Sequence, residues 1–310
     1  MRIYAAVFAL FTGLSAAQAA PKVMASIVPV HSIVAAVMGD TGSPELIFKG
    51  TVSEHTTALT PQQLVALGTA GLVFMVGPSV EMRLGQLDKG EAVNGKAFTM
   101  LADAPGITRL KIREGGGWEA HTHEEEHGEE EHEVGVTAYN GHIWLSPANA
   151  KAMAAEIAVR LAAIDSTNAG AYRANAASFA NTVDKAAAEI ANILAPVKDK
   201  PFIVFHDAYP YFEQAFGLSA VGSISDAGGS APSAKRLGEI RAKLAATNAV
   251  CVFREPQFDV RFAETVIEDS SARLGVLDAV GANLTPGPKA YLQLLNNLAA
   301  NLSACLAGPT

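Results

Sequence analysis

The chain has 310 residues, of which 49% are hydrophobic, enough apolar material for one large or two medium α/β domains. Its 23 basic and 31 acidic residues give a formal net charge of −8 at pH 7. Because there is no basic excess, we expect no nucleic-acid partner. Beyond the N-terminus no stretch approaches about 20 consecutive apolar residues, so the mature chain should not be embedded in a membrane.

The N-terminus has the features of a secretion signal. Arg2 precedes an apolar run over about residues 5–14, and Ala17 and Ala19 satisfy the small-residue cleavage rule. We expect residues 1–19 to be removed after Ala19 and the mature protein to be exported, most simply to a bacterial periplasm. No cysteine lies near the cleavage site, which argues against a lipid anchor. The sequence favours a freely diffusing protein, and we expect a monomer.

Short apolar strands alternate with helices in residues 20–148, and this pattern predicts an α/β lobe with a parallel sheet. The segment VMASIVPVHSIVAAVMG is typical of a strand that runs into a helix. ELIFKG, GLVFMVG and GKAFTML are typical of further strands. Thr60 and Pro61 indicate a helix start, with the threonine as N-cap and the proline at the first helical position.

A run of imidazole and carboxylate side chains follows these strands. Between Glu119 and Glu133 the chain has four histidines and eight glutamates in fifteen residues. These eight glutamates equal the whole acidic excess of the chain (31 − 23 = 8), which is typical of an inserted loop. An acidic run is often only a solvated segment, but imidazoles and carboxylates together bind divalent cations with low specificity. We interpret the run as an auxiliary, low-affinity metal collector or sensor with the candidate ligands His121, His123, His127 and His132.

Residues 149–196 are rich in alanine and have apolar side chains at helical spacing. They indicate two helices broken near residues 166–170, of which the second is long. A pair of surface helices would explain the pattern, but the α/β pattern on both sides favours a strut between two lobes. Strands at PFIVFH, SAVGSIS, AVCVFRE and GVLDAVG, with helices over 262–273 and 289–306, predict a second α/β lobe over residues 197–310.

Cys251 and Cys305 are the only cysteines of the chain. Export favours a disulfide between them, and two separately buried thiols are the alternative. A bond closing a loop of this length would stabilise the fold by about 4 kcal/mol in the chain-entropy model. It would join the end of a strand to the last helix.

Three of the four histidines outside the acidic run lie where ligands are expected. His206 ends a predicted strand, and ligands bind beyond the carboxyl ends of strands in open α/β sheets. His55 lies in a loop after a strand of the first lobe, and His142 immediately precedes the helical segment. Each alone could be a structural histidine. Together they suggest a zinc-type set of three imidazoles.

A zinc site of this kind needs a fourth ligand, for which an oxygen is suitable. Glu54, next to His55, is one candidate, and Asp278, at the end of the strand GVLD, is the alternative. Asp207 and Glu255 are candidates to orient an imidazole, although capping of strand ends would explain both equally well. A neutral three-histidine set favours zinc over manganese, which prefers more carboxylates.

Several segments resemble the ZnuA family, the periplasmic zinc-binding components of high-affinity zinc ABC importers. These belong to the metal-binding cluster of solute-binding proteins, known as cluster A-I or cluster 9. The matching segments cover nearly the whole mature chain and read SEHTTALTPQQ, GHIWLSPANAKAMA, FHDAYPYFEQAFGL, FREPQF and GVLDAVG. Ser146 departs from the pattern, since many relatives have aspartate there, but it lies off the ligand itself.

The resemblance implies two lobes, each with a four-stranded parallel sheet, joined by one long rigid helix. It implies that His55, His142 and His206 are zinc ligands and that the two cysteines form a disulfide. The fourth ligand is Glu54 or a water, or else Asp278, which resembles the residue that completes the site in some relatives. Relatives that carry manganese have glutamate at the position of His206, so the histidine favours zinc. The implied function is capture of Zn(II) in a cleft between the lobes and delivery to the membrane permease of a zinc ABC importer.

Other functions compete with this one. The protein could be a periplasmic zinc buffer or chaperone that acts through the acidic run alone, or a manganese-binding relative of the same family. A zinc hydrolase would need a general base such as Glu54 or Glu255. The sequence has no HExxH pair, nucleophile elbow or phosphate loop to support one, so we expect no enzyme.

Overall fold

The structure, a computed structural model, contains two parallel sheets flanked by helices. It describes residues 21–51, 53, 55, 57–88, 97–115, 117–118 and 139–308. Outside the described residues lie the predicted signal segment, Glu54 and the histidines of the acidic run, His121, His123, His127 and His132.

Each sheet has four strands in the described part of the chain, and all neighbouring strands are parallel. The strands of the first sheet are β1 (Val23–Ala25), β2 (Glu45–Leu46), β3 (Leu72–Met75) and β4 (Ala97–Met100). Those of the second are β5 (Phe202–Val204), β6 (Ala220–Ser223), β7 (Cys251–Arg254) and β8 (Arg273–Val276). The orders are β2-β1-β3-β4 and β6-β5-β7-β8, so the two sheets share one topology.

Helices connect and cover these strands. They are α1 (Val28–Met38), α2 (Pro61–Thr69), α3 (Met82–Asp88), α4 (Pro147–Ile164), α5 (Ala169–Leu194), α6 (Pro210–Phe216), α7 (Ala234–Thr247), α8 (Val260–Ile267) and α9 (Ala290–Ala307). Thr60 caps α2 through a reciprocal capping box with Gln63, as its position before Pro61 predicts. Among the described residues, no helix combines the length and apolar character needed to span a bilayer.

The long helix α5 lies between the two lobes, which confirms the predicted strut. It buries side chains at intervals of three and four residues, the spacing of one helical face. That face packs against α4, α1 and α9, so helices on both sides of the strut contact it. One continuous hydrophobic core includes Phe74 of the first sheet and Phe253 of the second. This shared core holds the lobes together.

The second lobe differs from the prediction at one helix. A helix was expected over residues 262–273, but α8 ends at Ile267 and residues 273–276 form β8. Asp269 has a φ of 59°, a left-handed conformation that interrupts a helix. The chain then pairs with β7, starting at Cys251 opposite Arg273. Strand pairing therefore begins two residues before the predicted GVLDAVG.

The segment that leads into the acidic run covers the edge of the second sheet. The backbone N–H of Ser223 in the edge strand β6 donates to the carbonyl of Gly117 at 3.1 Å. The guanidinium of Arg236 donates to the same carbonyl at 2.9 Å. A Cβ on Gly117 would lie 2.2 Å from the carbonyl oxygen of Val221, and one on Gly222 would lie 2.7 Å from that of Gly117. Both glycines are required because two backbones approach so closely.

Cys251 and Cys305 form a disulfide, which confirms the predicted pairing. The bond joins the first residue of β7 to helix α9. It therefore fixes the C-terminal helix to a buried central strand of the second sheet.

Candidate metal centre

Three imidazoles converge between the two sheets. The Nε2 atom of His142 lies 3.3 Å from that of His55 and 3.1 Å from that of His206. Their candidate ligand atoms all lie within 4.8 Å of one another. His142 and His206 are buried, and His55 is partly exposed. No other such group of histidine, cysteine and carboxylate side chains occurs in the part of the chain that the structure describes.

The topology explains the convergence. His206 lies two residues beyond the carboxyl end of β5, and His55 lies in the connection from β2 to α2. His142 precedes the 3₁₀ turn Ile143–Leu145, which leads directly into α4. Carboxyl ends of parallel strands are where open α/β sheets bind ligands. The three histidines thus approach one point from both sheets and from the start of the helical segment.

Glu255 orients His206. Its Oε1 atom lies 2.7 Å from Nδ1 of His206 and accepts a hydrogen bond from the backbone N–H of the same residue at 3.3 Å. Both side chains are buried, with 2% and 1% exposure. Because a carboxylate can only accept, Nδ1 carries the hydrogen and Nε2 keeps its lone pair. That lone pair is directed toward the other imidazoles.

Asn140 makes the corresponding contact with His142. Its Oδ1 atom lies 2.9 Å from Nδ1 of His142 and accepts from the backbone N–H of that residue at 3.1 Å. Asn140 is not among the site residues predicted from the sequence. The one signal available there was its place two residues before His142 in NGH.

Burial favours the neutral form of His55 and of His142. Desolvation, with a smaller contribution from the neighbouring His206, lowers the pKa of His55 to about 3, although Asp226 acts in the opposite direction. Desolvation also lowers the pKa of His142 well below its ordinary value, and the other two imidazoles add to this effect. Neutral imidazoles with converging lone pairs are suited to bind a metal ion.

Asp207 follows His206, but its carboxylate pairs with Arg113, at 3.0 Å between Nε and Oδ1. The same guanidinium contacts Glu213, at 2.8 Å between Nη1 and Oε2. Burial lowers the pKa of Arg113, but the hydrogen bonds to the two carboxylates outweigh it and raise that pKa above its ordinary value. Asp207 reaches an imidazole only indirectly, because its backbone carbonyl accepts from the side-chain amide of Asn140.

Asp278, the alternative fourth ligand, does not belong to the converging group. Its carboxylate accepts from Gln257 Nε2 at 3.0 Å and from the backbone N–H groups of Val280, Gly281 and Ala282 at 3.2, 2.9 and 2.8 Å. The carboxylate therefore caps the turn that follows β8.

Asp226 is a further residue near the three histidines that is not among the predicted site residues. It lies three residues beyond β6, and its charge opposes the lowering of the pKa of His55. Its carboxylate accepts hydrogen bonds from the backbone N–H groups of Gly228 and Ser230, both at 3.0 Å. The carboxyl-end rule that identified His206 applies equally to this loop.

Comparisons with known proteins agree with this architecture. Residues 23–305 match the family model of ZnuA, described as zinc-uptake complex component A, periplasmic. The high-affinity zinc uptake system protein ZnuA of Brucella suis biovar 1 (strain 1330) is 43% identical over 320 aligned positions, covering 96% of this chain and 95% of the relative. The protein of the same name from Yersinia pestis is 34% identical, with 93% and 92% covered.

A solved structure described as the crystal structure of ZnuA superimposes with a TM-score of 0.76 at 26% identity. The match covers 93% of this chain and 99% of that one. The family model spans nearly the whole chain, and the two named relatives exceed 30% identity over more than nine-tenths of it. The chain belongs to the ZnuA family of periplasmic zinc-uptake components.

Proposed function

We propose that this protein captures Zn(II) between its two lobes and delivers it to the membrane permease of a zinc ABC importer. His55, His142 and His206 bind the ion. The observation that carries the proposal is the convergence of their Nε2 atoms, at 3.1 and 3.3 Å from the central His142. The name of the family and the names of the relatives support zinc as the cargo.

The spacing of the nitrogens suits a tetrahedral ion. Two nitrogens that each bind one zinc ion at about 2.0–2.1 Å in tetrahedral geometry lie about 3.3–3.4 Å apart. The observed Nε2 separations from His142 are close to that value. Little rearrangement of His142 and His206 is needed, and a preformed site loses less free energy to ordering when it binds.

The fourth coordination position belongs to Glu54 or a water molecule in our proposal. Asp278 is the weaker candidate, because its oxygens already accept four hydrogen bonds from Gln257 and the turn after β8. Manganese prefers more oxygen ligands than this set offers, so zinc should be favoured.

The cellular location, the oligomeric state and the acidic run complete the proposed function. The chain is exported to the periplasm, its signal segment is cleaved after about Ala19, and it acts as a monomer. The histidines of residues 119–133 collect zinc weakly beside the main site. Their spacing along one short segment suits several loosely held ions better than one fixed geometry.

The test is a calorimetric zinc titration of three proteins that have been freed of metal. They are the wild type, a deletion of residues 119–133, and the triple variant His55→Ala, His142→Ala, His206→Ala. We expect one tight equivalent in the wild type and in the deletion, and none in the triple variant. The deletion should lose only weak equivalents.

Each alternative predicts a different result. A zinc buffer that acts through the acidic run would lose tight binding in the deletion and keep it in the triple variant. A manganese carrier would retain Mn(II) in the presence of an equal concentration of Zn(II). Either result would overturn the proposal. Sedimentation of the zinc-loaded protein tests the expected monomer separately.

A further inference from the structure

Asn140 is buried, with 1% exposure, and all of its polar groups are hydrogen bonded. Its backbone N–H donates to the carbonyl of Leu110 at 2.8 Å, and its backbone carbonyl accepts from the hydroxyl of Tyr211 at 2.6 Å. Its side-chain Nδ2 donates to the carbonyl of Asp207, and its Oδ1 faces His142. The position of its side chain is therefore fixed from both sides.

The orientation of the Asn140 amide follows from its partners. The carbonyl of Asp207 can only accept, so the amide atom facing it must be the NH₂ group. The backbone N–H of His142 can only donate, so the amide atom facing it must be the oxygen. Both contacts require the same orientation, and a flipped amide would make two repulsive contacts.

This orientation selects one tautomer of His142. The Oδ1 atom of Asn140 can only accept, and it lies 2.9 Å from Nδ1 of His142, so Nδ1 must carry the hydrogen. The lone pair is then on Nε2, which faces His55 and His206. In the other tautomer two lone pairs would meet at Nδ1, and an N–H would point to the place of the ion.

The same amide connects two of the histidines. Asp207 is the residue after His206, so the bond from Asn140 to its carbonyl links His142 to the chain beside His206. Arg113 holds the side chain of Asp207 in turn. The separation of 3.1 Å between the Nε2 atoms of His142 and His206 is supported by this series of contacts.

We propose that Asn140 is a positioning residue for the metal site, which fixes the Nδ1–H tautomer and the ring orientation of His142 before an ion arrives. This inference rests on the proposed zinc function for its effect on affinity. Its effect on the tautomer can be measured without metal.

Three variants separate this role from a purely structural one. Asn140→Ala removes both the acceptor and the donor. Asn140→Asp keeps an acceptor for the Nδ1–H of His142 but loses the donor to the carbonyl of Asp207. The matched control is Asn149→Ala, which removes another buried amide, one that bonds the backbone of Thr108 and the carbonyl of Ile143.

The first measurement is the tautomer, read from ¹H–¹⁵N spectra of the histidine rings in metal-free protein above the ordinary imidazole pKa. The signals of His142 are assigned by their absence in His142→Ala. We expect the Nδ1–H form in the wild type, Asn140→Asp and Asn149→Ala, and a mixture with the Nε2–H form in Asn140→Ala. An unchanged tautomer in Asn140→Ala overturns the inference, whatever the zinc titrations show.

The second measurement compares zinc affinity with the stability of the metal-free protein. We expect Asn140→Ala to bind zinc about 10–100-fold more weakly, as for loss of a group that orients a metal ligand. Asn140→Asp should recover most of that affinity, because it keeps the acceptor for His142. It should still be as unstable as Asn140→Ala, because its second carboxylate oxygen faces the carbonyl of Asp207. If the affinities of the three variants simply follow their stabilities, Asn140 is structural and the inference fails.

Discussion

The two sheets have the same strand order, and each has a buried glutamate at its carboxyl end, but the two glutamates contact different groups. In the first sheet Glu81 accepts from the hydroxyl of Ser26 and from the backbone N–H groups of Val76 and Gly77 at 3.1 and 3.0 Å. It thereby joins the residues that follow β1 and β3. In the second sheet Glu255 follows β7 and contacts His206, two residues beyond β5.

The difference shows how a ligand is built on a repeated framework. In both sheets a carboxylate connects the ends of the two central strands. Where the neighbouring residue is Ser26, the carboxylate accepts hydrogen bonds from local donors only. Where the neighbouring residue is His206, the same arrangement orients a proposed metal ligand. The proposed ligand of the first lobe, His55, lies in a loop instead, and it is less buried. The second lobe is therefore the more preorganised half of the site.

The disulfide is the only covalent difference between the two lobes among the described residues. The second lobe has the disulfide between Cys251 and Cys305, and the chain has no other cysteines to form one in the first lobe. Replacing both by alanine should lower the free energy of unfolding by about 4 kcal/mol, since the bond closes a long loop. Denaturant unfolding of metal-free protein measures this. Zinc stoichiometry without denaturant is the control, and a loss below about 1 kcal/mol would contradict the expectation.

The two glutamates should differ in their effect on zinc. Glu255→Ala removes the acceptor that orients His206 and should weaken zinc binding about 10–100-fold. Glu81→Ala should leave the zinc affinity unchanged, although it leaves buried donors without partners and destabilises the fold. Competition with a zinc-binding dye measures both affinities. Equal weakening by the two variants would show that the lobes are not functionally distinct.

The stability contributed by Glu81 should depend on pH. Burial raises the pKa of this carboxyl, so the folded state binds its proton more tightly than the unfolded state does. Its contribution to stability is fully present below its unfolded pKa and is lost as pH rises toward the raised folded value. The glutamine of Glu81→Gln cannot titrate. At low pH we expect this variant to have a free energy of unfolding about 1–2 kcal/mol below that of the wild type, because one hydrogen bond is mismatched. This difference in stability between wild type and variant should shrink as the pH of the unfolding experiment increases. A difference that grows with pH would contradict a raised pKa of Glu81.

The smallest expected effects are at helix starts. Thr60 caps α2 after the loop of His55, and Ser233 caps α7 in the second lobe by accepting from the N–H of Arg236 at 3.1 Å. Replacing either by alanine should lower stability by about 1 kcal/mol. Because α2 follows a ligand loop, we expect Thr60→Ala also to weaken zinc binding slightly, whereas Ser233→Ala should not. Parallel unfolding and zinc titrations compare the two, and identical zinc affinities would show that the cap does not influence the loop.

Much of this architecture could be predicted from local patterns. Alternating apolar strands and helices indicate the two lobes, and the strand-end rule selects His206. The same rule offers Asp278, but the backbone N–H groups of its own turn compete for its oxygens. Arg113 and Asn140 could not be found in this way, because they contact Asp207 across 94 and 67 residues of sequence. Such pairs depend on the tertiary fold.

The close contact between Gly117 and β6 has a consequence for tolerance to insertion and deletion. Unpaired sheet edges are templates for association with other chains, and here the backbone of Gly117 occupies part of that edge. Since this anchor precedes the acidic run, the length and composition of residues 119–133 can vary without uncovering the edge. A truncation that reached Gly117 would expose β6 and favour self-association. A deletion in the acidic run should therefore begin after Gly117, and the reason is the pairing of Gly117 with the sheet, not metal binding.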